Sequence, residues 1–273
     1  MPSFPSIWVD RISLLQETVL ARYDQHARSL PWRLTDDPYQ IWISETMLCQ
    51  TQVSRVVEYY HRRLDHIPTI TTLANIETKK LLQLWSWLGY NSRALRLQDC
   101  ARILINQYHT TLPDDYRQLI SLPGIGDYTA SAILAFAYHR DIGVVDTNIR
   151  RVLVYRFDLD HQIPYRVLKD IARQTIPPGR AKLWRNAVMD YGSVVLTSQA
   201  TGIKSVYKQS PFVWSTRQVR SRILHYLLTH DFVEIDSIQT QWPRHDVQTI
   251  VDKMCWEQIV TLNDHILTLH SRR

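Results

Sequence analysis

The chain has 273 residues, of which 45% are hydrophobic, enough to bury a core in one large domain or in two to three small ones. The net charge of +6 fits a polyanionic partner but says nothing of fold. Three scattered cysteines (Cys49, Cys100, Cys255) exclude a disulfide framework or a cysteine metal site, and no apolar run reaches the roughly 18 residues needed to span a bilayer. The N-terminus "MPSFPSIWVDRISLL" lacks a signal-peptide pattern, so a reducing cytosol is the expected location.

Helical periodicity dominates. Ile7, Val9, Ile12, Leu14, Leu15, Val19 and Leu20 predict a helix over 7–27, and residues 39–66 read as two helices with a break. "IETKKLLQLWSWLG" reads as a helix closed at Gly89, and "NSRALRLQDCARILINQY" follows as another. Further helices are expected over 114–120, 126–138, 148–157, 164–175 and 180–198, bounded by Pro113, Pro123, Pro164 and Pro177–Pro178. The polar, basic stretch 199–214 reads as a crossing into a small C-terminal module. There "STRQVRSRILHYLLTH" predicts a helix capped by Ser215 or Thr216, two short helices follow, and "EQIVTLNDHILTL" predicts a hairpin about "NDH". That order fits a winged-helix module, or a small packing domain without DNA contact.

The stretch "LPGIGDYTASAIL" (122–134) places Gly124 and Gly126 where a helix begins, in a chain with only seven glycines. A dinucleotide-binding loop would need a preceding strand and a third glycine, where Thr129 stands, and a P-loop would need Gly-Lys-Ser/Thr. Two readings remain. One is a close-packed helix–helix turn. The other is a hairpin whose amides converge on one phosphate, aided by the positive end of the next helix. Asp146 follows an apolar run and precedes a helix, which is the position of an N-cap. It also lies 20 residues after Gly126, so the intervening helix can return it towards the hairpin.

"LPGIGDYTASAIL" together with "VVDTNIRRV" resembles the helix-hairpin-helix and aspartate signature of the endonuclease III superfamily of DNA glycosylases. "LPWRLTDDPYQIWISETMLCQTQV" and "LWSWLGYNSRALRL" are similar to the MutY-type adenine glycosylases within it, and the likeness runs from about residue 30 to 192. The resemblance implies an all-α, two-domain fold flanking a DNA-binding cleft, with a small C-terminal winged-helix-like module. The expected domains are 1–29 with 137–208, then 30–136 carrying the hairpin in a barrel of helices, then 209–273.

By position, the resemblance makes Asp146 the aspartate needed at the sugar and Glu45 the carboxylate near a flipped adenine. Tyr128 stands where lyase-type relatives carry a Schiff-base lysine, which implies a glycosylase without strong β-lyase activity. Asn148 matches the family asparagine, Gln50 and Tyr90 match residues that wedge into the duplex, and Arg33 matches a pocket position near the base. Gly124 and Gly126 would hold the DNA strand. The chemistry follows from two carboxylates. An acid kept protonated in an apolar setting, such as Glu45 beside Trp42, Ile43, Met47 and Leu48, protonates adenine N7 and makes it a neutral leaving group. An ionised partner, Asp146 at a helix N-terminus, stabilises the cationic sugar. The base must leave the stack first.

The chain departs from the family in two places. The four cysteines of the family's [4Fe–4S] cluster, spaced C-x6-C-x2-C-x5-C, are replaced by Leu196, Ile203, Val206 and Phe212. No cluster is expected, and the four apolar side chains are expected to pack together, leaving Lys204 and Lys208 free to meet phosphates. The C-terminal 60 or so residues are too short for a nudix-like domain that reads 8-oxoguanine, and Asn91 replaces a tyrosine common in the family. Arg217, Arg220 and Arg222 are candidate backbone contacts or a solvated helix face. The expected function is removal of adenine opposite 8-oxoguanine or guanine in double-stranded DNA by a cytoplasmic, nucleoid-associated monomer. The rivals are a thymine or uracil glycosylase acting opposite guanine, and a non-catalytic DNA-binding protein on the same scaffold.

Overall fold

The computed structural model describes residues 6–206 and 211–271. In chain order the helices are α1 (Ser6–His26), a 3₁₀ turn (Pro31–Arg33), α2 (Pro38–Leu48), α3 (Val53–His66), α4 (Ile70–Asn75), α5 (Thr78–Trp85), α6 (Ser92–Gln107), α7 (Tyr116–Ser121), α8 (Asp127–Phe136), α9 (Thr147–Phe157), α10 (Tyr165–Gln174), α11 (Ala181–Val194) and α12 (Ser198–Thr201). The C-terminal part runs α13 (Thr216–Thr229), β1 (Phe232–Glu234), α14 (Ile235–Gln241), α15 (Val247–Trp256), β2 (Val260–Asn263) and β3 (Ile266–Leu269). Among the described residues, no helix is long and apolar enough to cross a membrane.

One compact unit takes the described residues within Met1–Glu45, Pro113–Ser121 and Ile125–Lys208. Its core joins Leu15 and Val19 of α1, Val152, Leu153 and Phe157 of α9, Leu168 and Ile171 of α10, and Trp184 and Val188 of α11. The approach of α9 to α11 is set by Gly192, where a Cβ would lie 2.8 Å from the Asn148 carbonyl oxygen, so no larger residue fits. Helix α9 starts at Asp146, whose side chain accepts from the Ile149 amide.

A second unit takes the described residues within Thr46–Leu112, Leu122–Gly124 and Gln209–Arg273. Its C-terminal part has the expected helices and hairpin, plus a short first strand. β3 pairs antiparallel with both neighbours, in the order β1-β3-β2, with Phe232 opposite Thr268 and Val260 opposite Leu269. The tight turn follows "NDH", with Asp264 and His265 both left-handed. Three helices and a three-stranded sheet make this a winged-helix-like module. Ser215 precedes α13, but its hydroxyl donates to the Phe212 carbonyl and caps no helix amide. The module does not stand apart from the preceding helices. Leu82 of α5 and Leu95 of α6 belong to the same core as Ile223, Leu227, Val251 and Leu267, and Gln83 donates to the Leu228 carbonyl. The divisions expected at 30, 137 and 209 differ from these two units, and at 209 the reason is that buried contacts tie the C-terminal part to α5 and α6.

Candidate active site

Glu45 lies near the end of α2 and is 4% exposed. It is hydrogen-bonded to Tyr128 of α8, while its Oε2 has no hydrogen-bond partner in the protein. Burial pushes its carboxyl above the usual glutamate range. The Asp146 carboxylate acts in the same direction, against Arg185, Tyr128 and Arg33. Asp146 is thus both the helix cap and a member of the Glu45 site. Its Oδ1 accepts from the Ile149 amide at 2.7 Å and its Oδ2 from Asn148 Nδ2 at 3.1 Å. Burial raises its pKa too, and the Ile149 amide, Asn148 and Arg185 pull it back towards the anion.

Asn148 is oriented from behind. Its Oδ1 accepts from Arg151 Nη2 at 2.7 Å, so the amide NH2 faces Asp146. Arg151, itself buried, donates to the carbonyls of Gly192 and Leu196 at 2.6 and 2.5 Å. Arg33 is no surface cation. Its guanidinium forms a two-pronged pair with Asp190, at 2.9 and 2.7 Å, and also donates to the Arg28 carbonyl. Arg28 Nε meets the same carboxylate, which these partners hold well below the usual aspartate range against the opposing effect of burial. Arg185 of α11 is 2% exposed, rests 4.2 Å from the Phe136 ring centroid, and is in electrostatic range of Tyr128, Glu45, Asp146 and Tyr165. Every one of these groups belongs to the first unit.

Gln50 and Tyr90 sit in the second unit on two short turns, both in the left-handed region with φ of 59° and 49°. One side chain holds the two turns. Arg93 Nη1 donates to the carbonyls of Thr46, Met47 and Cys49, and Nη2 to those of Leu88 and Gly89. Its guanidinium also lies 5.6 Å from the Tyr90 ring centroid.

The two hairpin glycines differ. Gly124 has φ of 78°, and a Cβ there would come 2.9 Å from Arg96 Cβ, so glycine is required. Gly126 is extended (φ −92°, ψ −179°), and a Cβ there would meet nothing within 4 Å. Of the two, Gly124 alone has a positive φ. Behind the hairpin, Asp127 accepts from Tyr116, from Tyr165 at 3.0 Å, and pairs with Lys169, which fixes the first turn of α8.

Residues 43–178 match the family described as "HhH-GPD superfamily base excision DNA repair protein". An adenine DNA glycosylase of Buchnera aphidicola subsp. Baizongia pistaciae is 35% identical over 182 residues, 66% of this chain and 52% of that protein. One from Mycobacterium tuberculosis is 42% identical over 136 residues, covering 50% of this chain and 45% of its own. The chain belongs to the HhH-GPD superfamily. The solved structure of a thermostable thymine-DNA glycosylase superposes with a TM-score of 0.66 at 24% identity, over 70% of this chain and 90% of that one, which speaks for a shared fold. The chain spans about half the length of the curated relatives it matches.

This HhH-GPD chain differs from expectation at the four positions that replace cluster cysteines. Leu196 packs in the first unit's core and Ile203 is buried, but Val206 is 66% and Phe212 50% exposed. The four do not form one buried apolar cluster, because Val206 and Phe212 each leave half or more of their surface in solvent, whereas Leu196 packs on α1, α9 and α11. None of the four offers a donor to iron, so these residues do not fit a four-cysteine cluster. Among the described residues, no group of three or more histidines, cysteines, aspartates or glutamates is gathered. Lys204 is exposed, Lys208 lies outside the described residues, and Arg220 is paired with Glu257 at 2.5 Å.

Sequence reasoning missed Asp190, Arg185 and Arg93. Asp190 and Arg185 are charged residues among the apolar positions of "AKLWRNAVMDYG" that are buried, and that mismatch was the available signal. Arg93 carried no such signal, since its partners are backbone carbonyls.

Proposed function

We propose that this protein is a monofunctional adenine DNA glycosylase of base excision repair, acting on double-stranded DNA as a monomer without an iron–sulfur cluster. The observation that carries the reading is the convergence of Glu45 and Asp146 on one buried site, with Tyr128, not an amine, beside them. The unpartnered Oε2 of Glu45 is the acid that protonates N7 of an extruded adenine. Asp146, held by Asn148 and the Ile149 amide, faces the cationic sugar as the glycosidic bond breaks. Water then takes the sugar, and no imine forms because Tyr128 cannot supply one. Gly126 and the open space at its Cα admit a phosphate, while Gln50 and Tyr90 fill the gap left in the duplex. The relatives are adenine DNA glycosylases, which supports adenine as the base released, and the mispair proposed for it is with 8-oxoguanine or guanine.

The test is strand cleavage by alkali after incubation with four labelled duplexes: A opposite 8-oxoguanine, A opposite G, T opposite G and U opposite G. Adenine is released and the pyrimidines are not. Glu45→Gln and Asp146→Asn each slow release by at least about a hundredfold while duplex binding persists. Release of thymine or uracil in place of adenine would transfer the assignment to the mismatch-specific pyrimidine glycosylases.

A further inference from the structure

Arg185 has an unusual position in this site. Its Nε, Nη1 and Nη2 are all buried and none has a hydrogen-bond partner in the protein. Glu45 and Asp146 are in electrostatic range, yet neither carboxylate accepts a hydrogen bond from it. One face of the guanidinium lies against Phe136, which fixes its plane. Buried donors without acceptors are costly, and a guanidinium cannot escape the cost by losing its proton. A group kept in this state is prepared for an acceptor that arrives from outside. The carboxylates of Glu45 and Asp146 balance its charge from a distance but accept none of its hydrogens, so the donors themselves stay unused.

We propose that Arg185 reads the extruded base, donating from its fork to a ring nitrogen of adenine. The inference rests on the adenine reading above. N7 is the site of protonation by Glu45, so the nitrogen that faces Arg185 is N1 or N3, both acceptors without hydrogens of their own. The side chain is then a specificity residue: a base that turns a donor towards the fork is rejected.

The test measures equilibrium binding of the full chain to duplexes carrying adenine, 1-deaza-, 3-deaza- or 7-deazaadenine on a 2′-fluorinated sugar, which disfavours the cationic transition state and keeps the base attached. Wild-type protein is expected to bind the 1-deaza or the 3-deaza duplex at least about tenfold more weakly than the adenine duplex. In Arg185→Gln that penalty falls below about threefold, in Arg185→Lys it is intermediate, and the 7-deaza penalty stays in all three. Phe136→Leu, which keeps the guanidinium but removes its shelf, shrinks the same penalty, so the result does not hang on one variant folding. Equal penalties in all four proteins, or no penalty for 1-deaza or 3-deaza in the wild type, overturn the role of Arg185 alone. Wild-type protein with no preference for the adenine duplex over a matched one overturns both this role and the adenine assignment.

Discussion

The proposed chemistry asks Glu45 to give up a proton and Asp146, in the same site, to act as an anion, although burial raises both carboxyls. Their hydrogen bonds differ: Glu45 has one buried oxygen without a partner, whereas both oxygens of Asp146 are engaged by donors. The raised Glu45 carboxyl has a stability consequence of definite sign. In the unfolded chain it ionises from the ordinary glutamate range, and in the folded chain only at higher pH. The wild type therefore loses stability as pH rises through that window. Glu45→Gln is expected to melt with the wild type below about pH 4 and above it near pH 8, by calorimetry or circular dichroism. Asp190 behaves in the opposite sense, because its carboxyl is lowered by Arg33 and Arg28. Its contribution is full above the ordinary aspartate range and fades in acid. Asp190→Asn should cost about 3 kcal/mol at neutral pH in urea denaturation, since it leaves a buried guanidinium unpaired, and the difference should shrink in acid. Of this site, Glu45 and Asp146 were singled out in the sequence because each lies within a stretch that resembles the family, "LPWRLTDDPYQIWISETMLCQTQV" and "VVDTNIRRV". Arg185 and Asp190 were not singled out, because a charge within a helix gives no hint of which distant residue faces it.

At the scale of elements, helical spacing was the readable part. α1, α6 and α13 fall within a residue or two of expectation, because their apolar positions recur every three or four residues. The short α4 and β1 passed unread, being six and three residues long and too short to establish a period. The hairpin glycines were legible as a pair, but not as two different jobs. Gly124→Ala forces a left-handed alanine and a clash with Arg96, and should cost about 1–2 kcal/mol of stability. Gly126→Ala has an ordinary backbone and open space, so it should leave the melting temperature within error while weakening binding to duplex DNA. A binding titration and a melt on both variants separate the roles. Equal loss of stability would remove the case for Gly126 as the point of phosphate approach.

At the scale of the whole molecule, the contact pattern that defines the two units could not be read from the sequence, because it depends on which apolar faces meet and not on where they start. Leu82 and Leu95 illustrate this. Both read as ordinary core positions of their own helices, yet they lie in the core of the winged-helix-like module. Leu82→Ala is expected to cost about 3 kcal/mol and to lower the melting of the module together with that of α5 and α6, in one transition when followed by hydrogen exchange. Separate melting would show the module to be an independent bead. The shared core also constrains how such a gene can be rebuilt. A foreign tail spliced on at residue 209 would arrive without matching side chains for Leu82 and Leu95, leaving two greasy sockets open beneath it. Exchange of tails within this lineage would require coordinated changes in α5 and α6, so the ancestry of the tail should be traceable in the helices it rests on.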